Sequence, residues 1–439
     1  MTSATTGSGD PAPIVVWFRR DLRLDDHPAL AAAVATGRPI VPLVVLDPGL
    51  LSSSTLGARR RSRHAAAVVA LDRDLRAIGG RLIVQRGTPR TVLPRIVSEV
   101  GATEILATRD FTPYAVARDQ GLMRDLPLQL LPGCLIVEPE ATGQVRVFAA
   151  FHRRWAALPR PSLIAAPSRV RVLAGVESET LPDAVPRGGP EARFRLEAFA
   201  RDRAADYADA RNRLDMDGTS GLSADLHFGT LSVRRAMATV SNEAFRRQLA
   251  WRDWSHHLLW FASDGAVPSQ GGEVTWRDDP KGIDAWIAGE TGIPTVDAAM
   301  RELATTGTMH NRARMIVASF LTKDLLVDWR VGEAHFLRTL EDADIANNRL
   351  GWRWSAGVGA DAAPFFRVMN PSLQGERFDP HGTWVRRWIP ELAEVPDRFV
   401  HRPWDAPYGP PRTYPQPIVD HVAARSRALE AFRDRSRQS

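Results

Sequence analysis

Short apolar runs rich in β-branched residues alternate with helical patterns through the first third of the chain, and this alternation limits the possible folds more than any other feature. Four runs are predicted as buried strands: Ile14–Phe18, Ile40–Leu46, Leu82–Gln85 and Glu104–Ala107. Strands that alternate with helices usually lie parallel in one sheet, with right-handed crossovers between them. No GxGxxG or GxxxxGK[ST] motif follows a predicted strand, so neither a standard dinucleotide site nor a P-loop is expected in this part.

Composition divides the rest of the chain. Residues 1–12 lack the basic start and apolar stretch of a signal peptide and are predicted to be a disordered tail. Pro, Gly and Ser accumulate in residues 137–195, which indicates an interdomain connector. We therefore predict an α/β domain with a parallel, Rossmann-like sheet in residues 13–136, and an all-α domain in residues 196–439.

The bulk properties favour some partners and exclude others. A net charge of +6 fits an anionic partner such as nucleic acid, although an Arg-rich solvated surface would give the same value. Cys134 is the single cysteine, so an intrachain disulfide and a cysteine-based metal site are excluded, and we expect no bound metal. No apolar run approaches the roughly 18 residues that span a bilayer. We expect a soluble, cytoplasmic, monomeric protein without a membrane partner.

Charged and amide residues interrupt otherwise apolar helical patterns between residues 297 and 366. Burying such groups is costly unless each meets a polar partner, so several of them together favour a large polar cofactor over a protein-only core. Arg314 could pair with either Asp342 or Asp344, and taken alone that pair would be an ordinary structural ion pair. Asn348 carries an amide that can donate or accept, which suits a ring nitrogen that gains and loses a proton.

A second segment could bind phosphate. The string GTSGLS, residues 218–223, precedes a helical pattern. Its hydroxyl and backbone N–H groups could bind phosphate oxygens or simply cap the helix. Tyr207 and Arg211, one helical turn apart, could close the same pocket.

Tryptophan is concentrated late in the chain, since eleven of the thirteen follow residue 250. Helical spacing places Gln248, Trp251, Arg252 and Ser255 on one face, which suits a planar polar ligand, although a buried amphipathic face would have the same pattern. Three tryptophans far apart in sequence could fill the core or carry an electron inward from the surface: Trp276, Trp329 and Trp352.

A set of motifs follows in a fixed order along nearly the whole chain. The first is VVWFRRDLRLDDHPAL, residues 15–30, and the helical half continues with GTSGLS, WRDW, VDAAMRELATTGTMHNRARM, FLTKDLLVDWR, DADIANN, GWRW and DAAPFFRVMNP. This ordered set resembles the DNA photolyase/cryptochrome family, and most of all its class I cyclobutane pyrimidine dimer photolyases. His310 is followed by Asn311 rather than by a second His, which resembles the dimer-repairing branch more than the (6-4) branch.

The resemblance implies FAD, folded within the helical domain. The residues that match the family's phosphate and ribose contacts are Tyr207, Thr219, Ser220, Leu222 and Ser223. The residues that match the contacts to the ring and the adenine are Arg252, Asn311, Arg314, Asp342, Asp344 and Asn348, with Asn348 facing a flavin ring nitrogen.

The resemblance also implies light-driven repair of UV-damaged DNA. Excited, fully reduced FAD would give one electron to a flipped-out pyrimidine dimer, the cyclobutane ring would split, and the electron would return. The residues that match the photoreduction chain are Trp276, Trp329 and Trp352, with Trp352 nearest the flavin. The residues that match catalytic and lesion-binding positions are Gln248, Trp251, Asn311, Arg312, Met315 and Trp354.

Three departures from the family pattern bear on this interpretation. Gln248 stands where dimer photolyases commonly have Glu, and its amide cannot carry charge or release a proton. Gly221 and Thr308 replace an expected Arg and Trp. Residues 108–119 lack the Asn-Glu pair of relatives whose antenna is a folate. Their Pro-Tyr-x-x-x-Arg-Asp run is more similar to members with a deazaflavin-type second chromophore, although a protein without an antenna fits equally well.

Two other functions fit many of the same residues. A cryptochrome-like blue-light photoreceptor would use the same FAD and tryptophans without repair, and Gln248 favours it somewhat. The retained lesion-pocket residues and the absence of a long tail after the family core favour repair. An ordinary flavin oxidoreductase is disfavoured because no nicotinamide-binding fingerprint is present.

Overall fold

The computed structural model describes residues 11–262, 274–361 and 367–437, with side chains up to residue 433. Residues 1–10 of the predicted tail and residues 362–366 of the DAAPFFRVMNP motif lie outside the described residues.

The chain forms two compact units, and each combines two separate stretches of sequence. The first contains Met1–Ala205 and Ser220–Gly265, and the second contains Asp206–Thr219 and Ala266–Ser439. The four domain ranges expected from composition stay predictions.

The first unit contains a five-stranded parallel sheet in the order β3-β2-β1-β4-β5. Its strands are β1 (Ile14–Phe18), β2 (Ile40–Leu46), β3 (Ile83–Arg86), β4 (Glu104–Thr108) and β5 (Leu128–Leu131). Alternate residues of β1 enter two apolar cores, one on each face of the sheet. The predicted α/β fold is confirmed. The sequence did not indicate β5, because four residues between two prolines give too short an apolar run.

Helices make up most of the remaining described structure. In chain order they are α1 (Pro28–Ala35), α2 (Pro48–Leu51), α3 (Ala58–Ala77), α4 (Pro89–Val100), α5 (Pro113–Leu122), α6 (Pro139–Thr142), α7 (Phe148–Ala157), α8 (Gly189–Asp202), α9 (Tyr207–Ala210), α10 (Ser223–Phe228), α11 (Val233–Thr239), α12 (Glu243–Trp260), α13 (Pro280–Ala288), α14 (Pro294–Thr306), α15 (Asn311–Ser319), α16 (Trp329–Thr339), α17 (Ile345–Ala356), α18 (Pro371–Phe378), α19 (Thr383–Trp388) and α20 (His421–Arg437). A π-helical turn spans Phe320–Asp324, and 3-10 turns span Pro390–Leu392, Asp397–Phe399 and Pro403–Asp405. None of the helices among the described residues has the length and apolar character needed to cross a bilayer.

Buried ion pairs attach α10 and α11 to the loop after β1 and to helices α3 and α8 of the first unit. Asp26, in the opening motif, forms a pair with Arg234 of α11, with 2.8 Å between Oδ1 and Nη2. Asp225 of α10 pairs with Arg63 of α3 at 2.6 Å and with Arg195 of α8 at 2.7 Å. Both carboxylates are fully buried. A buried charge is tolerated only when it is paired, so these contacts fix the two helices on the α/β layers.

The second unit is helical and packs around an apolar core that includes Trp286, Met300 and Trp352. Asp297, in the first turn of α14, accepts hydrogen bonds from the Thr291 N–H at 2.7 Å and from Tyr414 Oη at 2.6 Å. Burial raises the pKa of the Asp297 carboxyl. These bonds hold a proline-rich stretch of the C-terminal region against α14. The prediction of a helical C-terminal domain is confirmed.

Candidate functional site

The predicted Arg-Asp pair is formed between α15 and the loop before α17. Arg314 Nη2 lies 2.9 Å from Asp342 Oδ2, and Arg314 Nε donates to the carbonyl of Met309 at 2.8 Å. Asp344 is the N-cap of α17 and accepts from the Asn347 N–H at 3.0 Å. Of the two carboxylates considered from sequence, Asp342 forms this ion pair with Arg314 and Asp344 caps a helix.

Asn348, on the first turns of α17, is oriented by α16. Its side-chain Nδ2 donates to the backbone carbonyl of Glu333 at 3.0 Å. The Glu333 carboxylate accepts from Arg349 Nε at 2.9 Å, which adds a second link between the two helices. Since the amide nitrogen of Asn348 is bound to Glu333, the amide oxygen is the side-chain atom that can accept from a ligand N–H.

Trp352 lies one turn beyond Asn348 and is 2% exposed. Its ring meets Phe336 edge-on with 5.0 Å between centroids. A Cβ added to Gly332 would lie 2.0 Å from Trp352 Cη2, so only glycine leaves room for this indole. Trp352 Nε1 is buried without a hydrogen-bond partner among the described residues. Buried donors are rarely left unpaired, so this N–H favours a ligand with a polar acceptor beside it.

The other two tryptophans of the predicted chain are less deeply placed. Trp329 is the first residue of α16 and is 7% exposed, with the Arg353 guanidinium 5.8 Å from its ring centre. Trp276 is partly buried and meets Phe432 of α20 edge-on at 6.1 Å. Burial therefore decreases from Trp352 through Trp329 to Trp276, in the order expected for a path that ends at the surface.

The predicted phosphate-binding residues are divided between the two units. In the second unit, Tyr207 begins α9 and is buried, which raises the pKa of its phenol. The Arg211 guanidinium lies 5.7 Å from the Tyr207 ring centre, so the two residues are neighbours, and their role in a phosphate pocket stays a prediction. Thr219 ends this stretch of the second unit.

In the first unit, the rest of the GTSGLS string leads into α10. Ser220 and Gly221 precede Leu222, which is buried at the N-cap position, and Ser223 is the first helical residue. Gly221 has a φ of 63°, a backbone conformation that residues with a Cβ rarely adopt. The glycine found here in place of the family's Arg therefore fits its local backbone.

The residues predicted to share a helix face all lie on α12, in the first unit. Arg252 Nη1 donates to the backbone carbonyl of Cys134 at 2.9 Å, and Ser255 Oγ donates to the carbonyl of Arg252 at 2.7 Å. Gln248 Nε2 is 3.4 Å from the carbonyl of Ala244, one turn earlier. Part of the hydrogen-bonding capacity of this face is thus used within the first unit.

Two residues that we did not single out from sequence support the same helix. Asp253 is fully buried, and its Oδ2 accepts from the N–H groups of Ile136 (3.0 Å) and Val137 (3.1 Å) and from Trp155 Nε1 (2.9 Å). Phe148 of α7 stacks on Trp251. An acid between tryptophans in an apolar helix was a usable signal for Asp253, because a buried carboxylate needs several donors. Nothing in the sequence around Phe148 indicated its partner.

Positive charge accumulates beside α15 in the second unit. Arg312 Nη2 donates to Asn212 Oδ1 at 2.6 Å, and its guanidinium lies 4.4 Å from the Phe378 ring centre. Burial and the nearby charges of Arg211 and other arginines lower the pKa of Arg312. Such a concentration of guanidinium groups favours phosphate oxygens.

The remaining residues of the predicted lesion pocket lie on α15 and α17. Asn311 Nδ2 is 3.7 Å from Met315 Sδ, one turn along α15, and Trp354 is partly buried on α17. His310 is the N-cap of α15, accepting from the Arg312 N–H at 3.1 Å. Burial first, and then the charges of Arg312 and Arg314, lower the pKa of His310 to about 4. The imidazole is therefore neutral at physiological pH.

Glu302 of α14 makes stability in this unit depend on pH. Its Oε2 accepts from Trp384 Nε1 at 3.1 Å, and burial raises its pKa from 4.5 to about 7. The pKa of this carboxyl is higher in the folded protein than in the unfolded protein, so its burial costs no stability at a pH below the unfolded pKa. Stability is lost as the pH rises through the folded pKa, because the buried carboxyl must then ionise. We expect Glu302→Gln, which keeps an acceptor oxygen, to be more stable than the parent by on the order of 1–2 kcal/mol at about pH 8, and not at about pH 4.

Urea unfolding of both proteins at the two pH values would measure this difference. The exposed Glu394 offers a matched control, since Glu394→Gln should leave the pH dependence unchanged. The same loss of stability from low to high pH in Glu302→Gln as in the parent would contradict the assignment.

The chain is similar to known proteins along nearly its whole length. Residues 14–168 match the family model described as DNA photolyase, and residues 245–434 match the model described as FAD binding domain of DNA photolyase. A deoxyribodipyrimidine photo-lyase of Streptomyces griseus is 42% identical, over 94% of this chain and 97% of that protein.

Two solved structures are similar throughout. A bacterial class III photolyase from Agrobacterium tumefaciens superposes with a TM-score of 0.90 at 35% identity, covering 98% of this chain and all of that one. An archaeal photolyase from Sulfolobus tokodaii, which contains two FAD molecules, gives a TM-score of 0.87 at 28% identity, covering 96% of this chain and all of that one. The chain belongs to the DNA photolyase/cryptochrome family.

Proposed function

We propose that this chain is a deoxyribodipyrimidine photo-lyase, which uses bound FAD and light to split cyclobutane pyrimidine dimers in UV-damaged DNA. The observation that carries the proposal is the buried indole N–H of Trp352, which has no hydrogen-bond partner in the described part of the chain and lies one turn from the Asn348 amide on α17. These groups fit a planar cofactor with ring acceptors and a ring N–H. The relationship to the Streptomyces griseus enzyme supports the same activity.

The residues that would hold FAD are those matched by resemblance: Tyr207, Thr219, Ser220, Leu222, Ser223, Arg252, Asn311, Arg314, Asp342, Asp344 and Asn348. Bound, reduced FAD would become a strong one-electron donor when it absorbs light. Arg314, neutralised in part by Asp342, would favour negative charge on the adjoining ring. The Asn348 amide oxygen would accept a hydrogen bond from a ring N–H. The hydrogen bond from Asn348 Nδ2 to the Glu333 carbonyl holds the amide in one orientation.

Lesion binding would depend on the side chains matched by resemblance. The indoles of Trp251 and Trp354 would each provide an apolar face for a pyrimidine, and Asn311 and Met315 of α15 match further contacts to the lesion. Arg312 would bind phosphate without reading sequence. A dimer stacks and pairs poorly within the duplex, which lowers an extrusion cost of a few kcal/mol and favours damaged over intact sites.

The proposal is tested with a single-stranded oligonucleotide that carries one thymine dimer. Chemically reduced protein is illuminated with near-UV and blue light, and a dark sample serves as the control. Light-dependent recovery of thymine absorbance is the expected result. No recovery from a protein whose flavin is bound and photoreducible would instead support a blue-light receptor, the second candidate that Gln248 favours.

Gln248 gives a specific prediction about repair yield. A Glu at this position could accept two hydrogen bonds from the dimer's bases or, when protonated, donate one to them. We expect Gln248→Glu to raise the yield of dimer repair per absorbed photon by about two- to fivefold, the equivalent of roughly 0.4–1 kcal/mol. Photoreduction of the flavin should be the same in both proteins, which provides the internal control. An equal or lower repair yield would show that Gln fits this pocket.

The subclass and the second chromophore belong to the proposal as well. We propose class I because the motifs resemble that class. The similar Agrobacterium structure is of class III, so the motifs alone support this subclass.

For the antenna we propose a deazaflavin type rather than a folate. The supporting feature is the Pro-Tyr-x-x-x-Arg-Asp run on α5, where Tyr114 donates to Asp47 at 3.2 Å and Arg118 lies 4.7 Å from the Trp17 ring centre.

Extraction of the pigments from protein made in cells that synthesise deazaflavin would identify the second chromophore. A second FAD, as in the Sulfolobus structure, or no second pigment would contradict the deazaflavin assignment.

We also propose a cytoplasmic monomer, and light scattering during gel filtration should then give the mass of one chain, 48.4 kDa.

A further inference from the structure

A second aromatic ring covers one face of Trp251. The Phe148 ring, at the start of α7, is nearly parallel to the indole, with 3.8 Å between centroids and 13° between planes. Trp254 meets the same indole edge-on at 5.2 Å and 77°. Phe148 is 2% exposed, whereas Trp251 is only partly buried. A ligand can therefore reach Trp251 only on the surface that Phe148 and Trp254 leave open.

The chain fixes Phe148 firmly before any ligand arrives. Three residues earlier, the carbonyl of Val145 accepts from Trp254 Nε1 at 2.7 Å, which attaches the turn that precedes α7 to α12. The Arg247 guanidinium lies 4.9 Å from the Phe148 ring centre and adds a cation–π contact. The orientation of the Trp251 indole is thus set by neighbours that are themselves held in place.

We infer that Phe148 is a positioning residue for lesion recognition, holding Trp251 in the orientation in which its open face stacks on a flipped-out pyrimidine. This inference rests on the proposed function. An indole that is already fixed loses little side-chain entropy when a base stacks on it, and an unsupported indole would lose more. Intact DNA binds mainly through its phosphates and inserts no base, so its affinity does not depend on this ring.

Phe151, one turn further along α7, provides a matched control. It is fully buried and has the same side chain. Its ring contacts within the described residues are with Phe148, Trp254 and His257. Phe151→Leu and Phe148→Leu therefore remove similar apolar contacts, but only the second removes the ring that covers Trp251.

The first measurement is dark binding of the FAD-loaded full chain to an oligonucleotide with one thymine dimer and to its undamaged counterpart. Phe148→Leu should reduce the ratio of the two affinities by about fivefold to tenfold, which is the range of an aromatic pair. The affinity for undamaged DNA should stay the same, Phe151→Leu should keep the parent ratio, and Phe148→Tyr should restore most of it. An unchanged ratio in Phe148→Leu, or an equal loss in Phe151→Leu, would overturn the inference.

A second measurement needs no DNA. In protein labelled with 5-fluorotryptophan, the Trp251 fluorine resonance is identified as the one that Trp251→Phe removes. Phe148→Leu should shift and broaden it because the covering ring is lost, and Phe151→Leu should not. If the parent protein shows no preference for damaged DNA, the proposed function fails, while this resonance still reports on Phe148. A resonance that Phe148→Leu leaves unmoved would refute the positioning role by itself.

Discussion

Trp352→Phe should slow photoreduction of the bound flavin by about a hundredfold or more, equivalent to a barrier higher by roughly 2.7 kcal/mol. A phenyl ring fits the space of the buried indole but is much harder to oxidise, so the path from Trp329 and Trp276 would be interrupted. Repair by chemically reduced protein should continue, because that reaction does not use the path. Absorbance of the bound flavin under anaerobic blue light measures the first effect, and thymine recovery measures the second.

Trp404, partly buried at the edge of the second unit's core, is a suitable control for removing an indole. Trp404→Phe should leave photoreduction unchanged. Normal photoreduction in Trp352→Phe would remove Trp352 from the path. A parallel fall in repair by the reduced variant would show instead that the indole maintains the flavin pocket.

Asp253→Ala should destabilise the first unit by about 3–5 kcal/mol, because it leaves three buried donors without their acceptor. Those donors are two backbone N–H groups at residues 136–137 and the Trp155 indole, so α7 should loosen from α12. Urea unfolding followed by circular dichroism measures the loss. Limited proteolysis should show new cleavage near residues 136–155.

Two variants test whether the carboxylate oxygen is responsible. Asp253→Asn keeps one acceptor oxygen and should cost less than Asp253→Ala. Asp183→Ala removes an exposed acid from the same unit and should have no measurable effect. A similar small loss in all three variants would show that the hydrogen bonds to Asp253 contribute little.

The sequence was most informative where the chain's own neighbours decide the structure. Apolar runs located four of the five strands, and helical periodicity identified the second unit as helical. Composition and periodicity did not show that α10 and α11 pack with the α/β part of the first unit. That depends on Asp26 finding Arg234, 208 residues away, and on Arg63 finding Asp225, 162 residues away. In a chain so rich in arginine, local patterns cannot select one such pair among many.

The candidate site shows the same division. Polar residues in apolar helices indicated that Arg314 could pair with Asp342 or Asp344, and the structure shows the pair with Asp342. The orientation of Asn348 was not predictable, because its partner is a backbone carbonyl, and every residue has one. Phe148 was missed for a related reason, since it lies in a stretch whose Pro, Gly and Ser content indicated a connector rather than packed helices.

The chain passes between its two compact units three times, after residues 205, 219 and 265. No single cut in the gene can therefore separate the two units cleanly, since a cut after residue 205 leaves 220–265 with the second unit and a cut after residue 265 leaves 206–219 with the first. A crossover between two related genes before residue 265 would replace residues of both units at once, and one between the codons for Asp26 and Arg234 would bring together ion-pair partners with separate histories. We expect chimaeras that exchange one whole unit to require matched junctions at all three crossings, so that this architecture tends to be inherited as one block.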